Sequence, residues 1–193
     1  MVSRMKKQII TLGGLPGSGK STTKRLLAER LNFTPFSTGD FVRTLAKERG
    51  MTLEEFNEVV AEDKSLDELI DTEHQRIEKD ADEMVIDSHL GFHFVPSAFH
   101  VYLHISPDTS AARVFNDRDS DIRKQSGDSM VTLEEARART QKRIDNHLKR
   151  YQKHYGINPY DVSKYDLVIN TEHTKPEEVA DIIVKKFNEW LTE

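Results

Sequence analysis

The stretch Gly14-Leu15-Pro16-Gly17-Ser18-Gly19-Lys20-Ser21-Thr22 has the spacing G-x-x-x-x-G-K-[ST], a pattern whose backbone N–H groups converge on a phosphate. Glycines let the chain turn through conformations that side chains would obstruct, and the helix that follows adds unpaired donors and the positive end of its dipole. Lys20 would then reach the outer phosphates as a point charge, and the Ser21 hydroxyl would be a ligand for Mg²⁺. The plainer alternative is a glycine-rich turn whose lysine points into water. The full spacing, with an apolar run before it and a helical pattern after it, speaks against that alternative.

Other residues have chemistry that would complement a bound phosphate. Asp87 closes the apolar run Met84-Val85-Ile86 and is placed to hold Mg²⁺ opposite Ser21; the alternative is a surface turn carboxylate. Residues 113–150 carry ten lysines and arginines against seven acids in a chain of net charge −5. A helical projection puts Leu133, Ala136, Thr140, Ile144, Leu148 and Tyr151 on one stripe, with Arg139, Arg143 and Arg150 on its flank. Guanidiniums there could line a phosphate cleft, or the flank could be a solvated face with i,i+4 pairs. The eight histidines form no tight metal-binding cluster, and His89 stands out only for lying two residues past Asp87.

The elements that must position these groups follow from length and pattern. With 193 residues, 36% of them apolar, the chain reads as one domain with a core and polar excursions. The acidic balance argues against general affinity for nucleic acid or anionic membranes, so neither is expected as a partner. Without cysteine there is neither a disulfide framework nor a cysteine zinc site. The N-terminal Met1-Val2-Ser3-Arg4-Met5-Lys6-Lys7 is basic, but the apolar run after it breaks at Gly13-Gly14, too soon for a signal peptide or a span. A cytoplasmic location is therefore expected.

Taken in order, Ile9-Ile10-Thr11-Leu12 reads as a buried strand and Lys20 to Leu31 as a helix with Leu26, Leu27 and Leu31 inward. Phe33 to Phe36 is a short strand, followed by Ser37-Thr38-Gly39-Asp40, a turn with Asp40 as helix cap. That helix ends at Gly50, Thr52 and Glu55 form a capping box, and a further helix puts Leu66, Leu69, Ile70 and Ile77 on one stripe. Strands are expected at 84–87 and 101–105, then a helix opened by Ser106-Pro107, a polar mobile loop from Asn116 to Met130, and a long helix from a second capping box at Thr132 to Tyr155. Asp166 to Asn170 is the last strand, and a helix capped by Thr174-Lys175-Pro176-Glu177 turns Val179, Ile182, Ile183, Phe187 and Trp190 inward. This alternation predicts an α/β fold, a parallel sheet with helices on both faces and the ligand at the strand C-terminal ends. The whole of 1–193 reads as a single P-loop domain with two excursions, 40–80 and the loop at 116–130.

These residues resemble the nucleoside monophosphate kinases, and more closely the short cytidylate kinases of archaeal type. The resemblance lies in Ile10 to Thr22, in Ser37-Thr38-Gly39-Asp40-Phe41-Val42-Arg43 with Leu45 to Met51, and in Tyr165-Asp166-Leu167-Val168-Ile169-Asn170-Thr171. It implies five parallel strands, ATP as donor with Mg²⁺, and a cytidine or deoxycytidine monophosphate acceptor. By the resemblance, Gly14 to Thr22 hold the donor, and Ser37, Thr38, Gly39, Asp40 and Arg43 line the acceptor site with Arg43 on the monophosphate. The segment 40–80 is then the acceptor-binding excursion and 116–130 the lid. Arg113 and Arg118 resemble the arginines at the start of the lid, and Arg143 and Arg150 the pair after it.

Two positions depart from the family pattern. Asp87-Ser88-His89 stands where an acid, a glycine and an arginine are usual, and His147 stands where an acid often lies near the acceptor ribose. Both histidines are expected on the acceptor side with Asp87. The reaction expected is transfer of the γ-phosphoryl group of ATP to a pyrimidine nucleoside monophosphate by a monomeric enzyme acting on small molecules. An adenylate kinase, another small-molecule kinase, or a non-catalytic nucleotide sensor are the alternatives.

Overall fold

The structure, a computed structural model, describes residues 6–52, 55–56, 59, 64–117 and 132–193. Its sheet has five parallel strands: β1 (Ile9–Gly14), β2 (Thr34–Ser37), β3 (Met84–Asp87), β4 (Phe99–His104) and β5 (Leu167–Asn170), in the spatial order β2-β3-β1-β4-β5. The helices are α1 (Lys20–Leu31), α2 (Thr38–Glu48), α3 (Lys64–Asp80), α4 (Gly91–Phe94), α5 (Pro107–Asn116), α6 (Leu133–Tyr155) and α7 (Pro176–Thr192).

Every residue of β1 is buried, as a central parallel strand covered on both faces requires. On one side Ile10, Leu12, Leu27, Val85, Val101, Leu103, Val179, Ile183 and Phe187 form the main core; on the other, Ile9, Ile86, Ile77 and Val95 pack together. Each such side chain contributes about 1.5–3 kcal/mol by leaving water. Register aligns Leu12 of β1, Asp87 of β3 and Ser37 of β2, so these residues reach the same end of the sheet from three strands.

Several local expectations change. The cap of α2 is Ser37, whose hydroxyl accepts from the Asp40 N–H at 3.2 Å; Asp40 itself lies in the first turn. Of the expected stripe, Ile70 and Ile77 are buried together with His74, whereas Leu69 is exposed. On α6 only Ala136 and Thr140 are buried, while Leu133 and Leu148 are exposed. Length accounts for Leu148: the 10-residue α5 packs at the Ala136 end and covers only part of the 23-residue α6, which rises about 1.5 Å per residue. Trp190 is only partly buried, stacked on Phe187 at the edge of the core. Both capping boxes, Thr52 with Glu55 and Thr132 with Glu135, are formed. Most of the segment 116–130, including Arg118, lies outside the described residues, as does the Leu66 side chain. Among the described residues, no helix is long and apolar enough to cross a membrane.

Candidate active site

The turn from Gly14 to Gly19 joins β1 to α1, and its backbone carries the geometry. Gly14 has φ 140°, and a Cβ there would lie 2.5 Å from the Leu103 carbonyl oxygen; Gly19, which caps α1, has φ 94°. Both conformations lie where L side chains rarely go. Carbonyls along the turn are held by donors: Ser110 Oγ donates to Pro16 O at 2.6 Å, Thr171 Oγ1 to Ser18 O at 3.1 Å, and Arg113 to Gly17 O at 3.4 Å. Lys20 Nζ folds back on the carbonyls of Gly14 and Leu15 at 3.0 and 2.9 Å.

Two observations fit a phosphate in this cradle. The Ser18 hydroxyl is buried with no hydrogen-bond partner, a cost of about 1–3 kcal/mol that a bound oxyanion would relieve. Helix α1 has no side-chain cap and no acid in its first turn, whereas α2, α5, α6 and α7 each carry one there. An N-terminus left uncompensated in this way is suited to an anion. Arg113, expected at the start of the lid, also donates to Thr171 O at 2.6 Å and Glu172 O at 3.1 Å, so in this structure it fastens the turn to the end of β5. Beside it, Glu172 accepts from the Ser106 N–H and from Thr109 Oγ1, and these bonds pull its carboxyl down to about 2.

The side chains of Ser21 and Asp87 meet where expected: Ser21 Oγ lies 3.5 Å from Asp87 Oδ2. One hydroxyl and one carboxylate suit Mg²⁺, a hard cation that keeps waters and takes substrate phosphates as its other ligands. Among the described residues there is no cluster of three or more His, Asp or Glu that would hold a metal by protein groups alone.

Across the sheet end, Arg43 is paired with Asp40, which Lys24 also approaches at 3.5 Å. Partial burial pushes the Asp40 carboxyl up, but Arg43, Lys24 and the Ser37 hydroxyl together hold it below its ordinary value. The Arg43 guanidinium lies over Gly39, where a Cβ would meet it at 3.6 Å. Thr38 Oγ1 bonds to the buried His74 at 3.0 Å.

The two departures at His89 and His147 prove to be one contact, with ring centroids 4.6 Å apart. His147 Nδ1 meets Tyr160 Oη at 3.3 Å, and Tyr151 and Tyr160 flank the His89 ring. Burial holds both imidazoles well below the ordinary histidine value and so neutral, helped at His89 by His147, Lys20, Arg143 and Arg150 and at His147 by Arg143, Arg150 and Lys20. The Nδ1 of His89 is sealed from solvent without a partner. The charges of Lys20, at the start of α1, and of Arg143 and Arg150, on α6, thus act on both rings, while Arg139 and Arg143 are themselves exposed.

Sequence reasoning passed over His74, Tyr155 and Asp71. Tyr155 Oη donates to the Asp71 carboxylate at 2.9 and 3.0 Å, joining the end of α6 to α3. His74 had a signal: it sits on the apolar stripe between Ile70 and Ile77.

A family model described as an AAA domain matches residues 10–145. A cytidylate kinase from Sulfolobus acidocaldarius is 35% identical over 178 residues, 91% of each chain. An S-adenosylmethionine-dependent nucleotide dehydratase from Lacinutrix mariniflava is 37% identical over 94% of this chain, which spans 36% of that protein. Among solved structures, shikimate kinase from Aquifex aeolicus aligns with a TM-score of 0.54 at 21% identity, covering 93% of this chain and 96% of that one, a likeness of fold.

Proposed function

We propose a reaction for a chain that belongs to the AAA-domain P-loop kinases and, among them, to the nucleoside monophosphate kinases, most like those of archaeal cytidylate type: it transfers the γ-phosphoryl group of ATP to CMP or dCMP, giving the diphosphate and ADP. The observation that carries this reading is the glycine turn with its buried, unpartnered Ser18 hydroxyl and the Ser21–Asp87 contact at 3.5 Å, two residues from the His89–His147 pair on which the charges of Lys20, Arg143 and Arg150 act. A kinase needs cations on both sides of the phosphoryl group in flight, and here they come from a donor cradle and a facing helix.

In this reading Gly14 to Thr22 grip the donor phosphates, and Lys20 exchanges two neutral carbonyls for anionic oxygens, a stronger class of hydrogen bond. Ser21 and Asp87 would hold Mg²⁺, which supplies charge neutralisation when bound. Arg43 leaves Asp40 to take the acceptor monophosphate, with Ser37, Thr38, Gly39, Asp87, His89 and His147 around the rest of the nucleotide. Arg143, Arg150, Arg113 and, outside the described residues, Arg118 stabilise developing charge and exclude water as the lid closes. An acceptor that is already a phosphate anion needs no strong general base. The chain is read as one domain, 1–193, with an acceptor-binding excursion at 40–80 and a lid at 116–130, acting as a cytoplasmic monomer on small nucleotides.

The test is an acceptor screen, ATP with CMP, dCMP, UMP or AMP in turn and the diphosphate quantified. Turnover of CMP or dCMP well above the others is expected. Strong turnover of AMP with none of CMP or dCMP would remove the cytidylate assignment, and ATP binding with no diphosphate from any acceptor would favour a sensor.

A further inference from the structure

His74 is 2% exposed and carries more hydrogen bonds than a buried histidine needs for its own satisfaction. Its Nδ1 lies 2.8 Å from the Ile70 carbonyl oxygen, which can only accept, so Nδ1 carries the proton. Nε2 then has a single lone pair, yet two hydroxyls reach it: Ser88 Oγ at 2.9 Å and Thr38 Oγ1 at 3.0 Å. The ring cannot turn to favour either one, because it stacks on Phe94 at 5.4 Å and meets the edge of Phe36 at 6.3 Å.

These hydroxyls belong to the two segments placed on the acceptor side. Thr38 follows Ser37, the cap of α2, and precedes Gly39, Asp40 and Arg43; Ser88 lies between Asp87 and His89. His74 comes from a third segment, α3, which Asp71, one turn earlier, joins to α6 through Tyr155. Two donors competing for one lone pair leave the pair occupied whichever donor departs. Thr38 can therefore give its hydroxyl proton to a ligand without stranding a buried acceptor, since Ser88 remains on Nε2, and the usual penalty for breaking a buried hydrogen bond is avoided.

We propose that His74 is a positioning residue for the acceptor nucleotide: it parks the Thr38 hydroxyl beside the acceptor segment and, with Ser88 as the standing substitute, releases it to an oxygen of the acceptor. This rests on the reading of Ser37–Arg43 as the acceptor side. It separates acceptor binding from ATP binding, because the side chains of His74, Thr38 and Ser88 make no hydrogen bond to the Gly14–Gly19 turn.

The test measures affinity for CMP and for ATP by calorimetry, and KM for each in the kinase assay, across His74→Phe, His74→Gln, Ser88→Ala, Thr38→Val and the pair His74→Phe with Thr38→Val. His74→Phe should weaken CMP binding and raise its KM about tenfold, with the ATP values within about twofold. His74→Gln, whose amide oxygen can take a hydroxyl proton, should recover most of that loss. Thr38→Val should cost less on the His74→Phe background than alone. Ser88→Ala, which removes the substitute, should raise the KM for CMP a few-fold, and it keeps the test open if His74→Phe does not fold. An unchanged CMP affinity in both His74→Phe and Ser88→Ala, or in Ser88→Ala alone where His74→Phe does not fold, or CMP and ATP affinities falling together, would overturn the proposal. Wild-type protein that binds CMP without transferring phosphate overturns the reaction while the His74 comparison still reads; transfer with indifferent His74 variants overturns the inference alone, and no binding of any monophosphate overturns both.

Discussion

On the donor side, one unbroken run of sequence makes the cradle: Gly14 to Lys20 supply the turn, and Ser110, Arg113 and Thr171 only pin its carbonyls from outside. On the side proposed for the acceptor, Thr38, His74 and Ser88 form one side-chain group and His89, His147 and Tyr160 another, each drawn from separate segments. A site built from backbone conformation tolerates almost no change at its glycines. A site built from side chains can be re-tuned by paired exchanges, as at His89 and His147, where two departures from the family pattern turn out to be one contact.

The comparison can be broken most severely at Lys20. If the donor side stabilises charge in the transition state, Lys20→Ala should lower kcat by about 10²–10³-fold with a smaller change in the KM for CMP, measured by steady-state kinetics. A near-normal kcat would remove Lys20 from its role. The acceptor side is probed next by Arg43→Ala, expected to raise the KM for CMP about 10–100-fold, as for loss of charge-assisted bonds, while the KM for ATP stays within about twofold. Equal loss on both substrates would merge the two sides.

The smallest expected effect is one of acid stability, and it sharpens the contrast. Burial lowers the His74 pKa from 6.5, so on acidification the unfolded chain takes up the proton first; stability is lost from pH 6.5 down to the depressed folded value. Glu172 is lowered from 4.5 to about 2, so its contribution is complete above pH 4.5 and is lost only between 4.5 and about 2. Hydrogen exchange followed from pH 7 to 3 should therefore show protection falling in α3 before the Ser106–Thr109 turn. The reverse order would contradict both assignments.

Much of this was legible in the sequence, for reasons that differ by region. Strands and helices followed from periodicity, and the phosphate turn from a contiguous motif whose backbone requirements are written in its glycines. Reading Asp40 as a cap missed because Ser37, three residues earlier, offers a hydroxyl to the Asp40 N–H. The stripe on α6 ran past the end of its cover, and beyond α5 the helix turns Tyr151, a stripe residue, together with His147 and Tyr155 toward the His89 and Phe94 rings. His74 was hidden in plain pattern: a histidine on an apolar stripe looks like core, and only the tertiary structure brings Thr38 and Ser88 to its one free lone pair. Side-chain convergence between segments 36 and 14 residues apart leaves no local trace.

The central claim is that the two sides hold two nucleotides with their phosphates facing one another across Lys20, Arg143 and Arg150. The direct measurement is calorimetric binding of a molecule that joins adenosine to cytidine through five phosphates. If both sides are engaged at once, it should bind at least about a hundredfold more tightly than ATP or CMP alone and compete with each of them. An affinity no better than that of ATP, with no competition against CMP, would contradict the account.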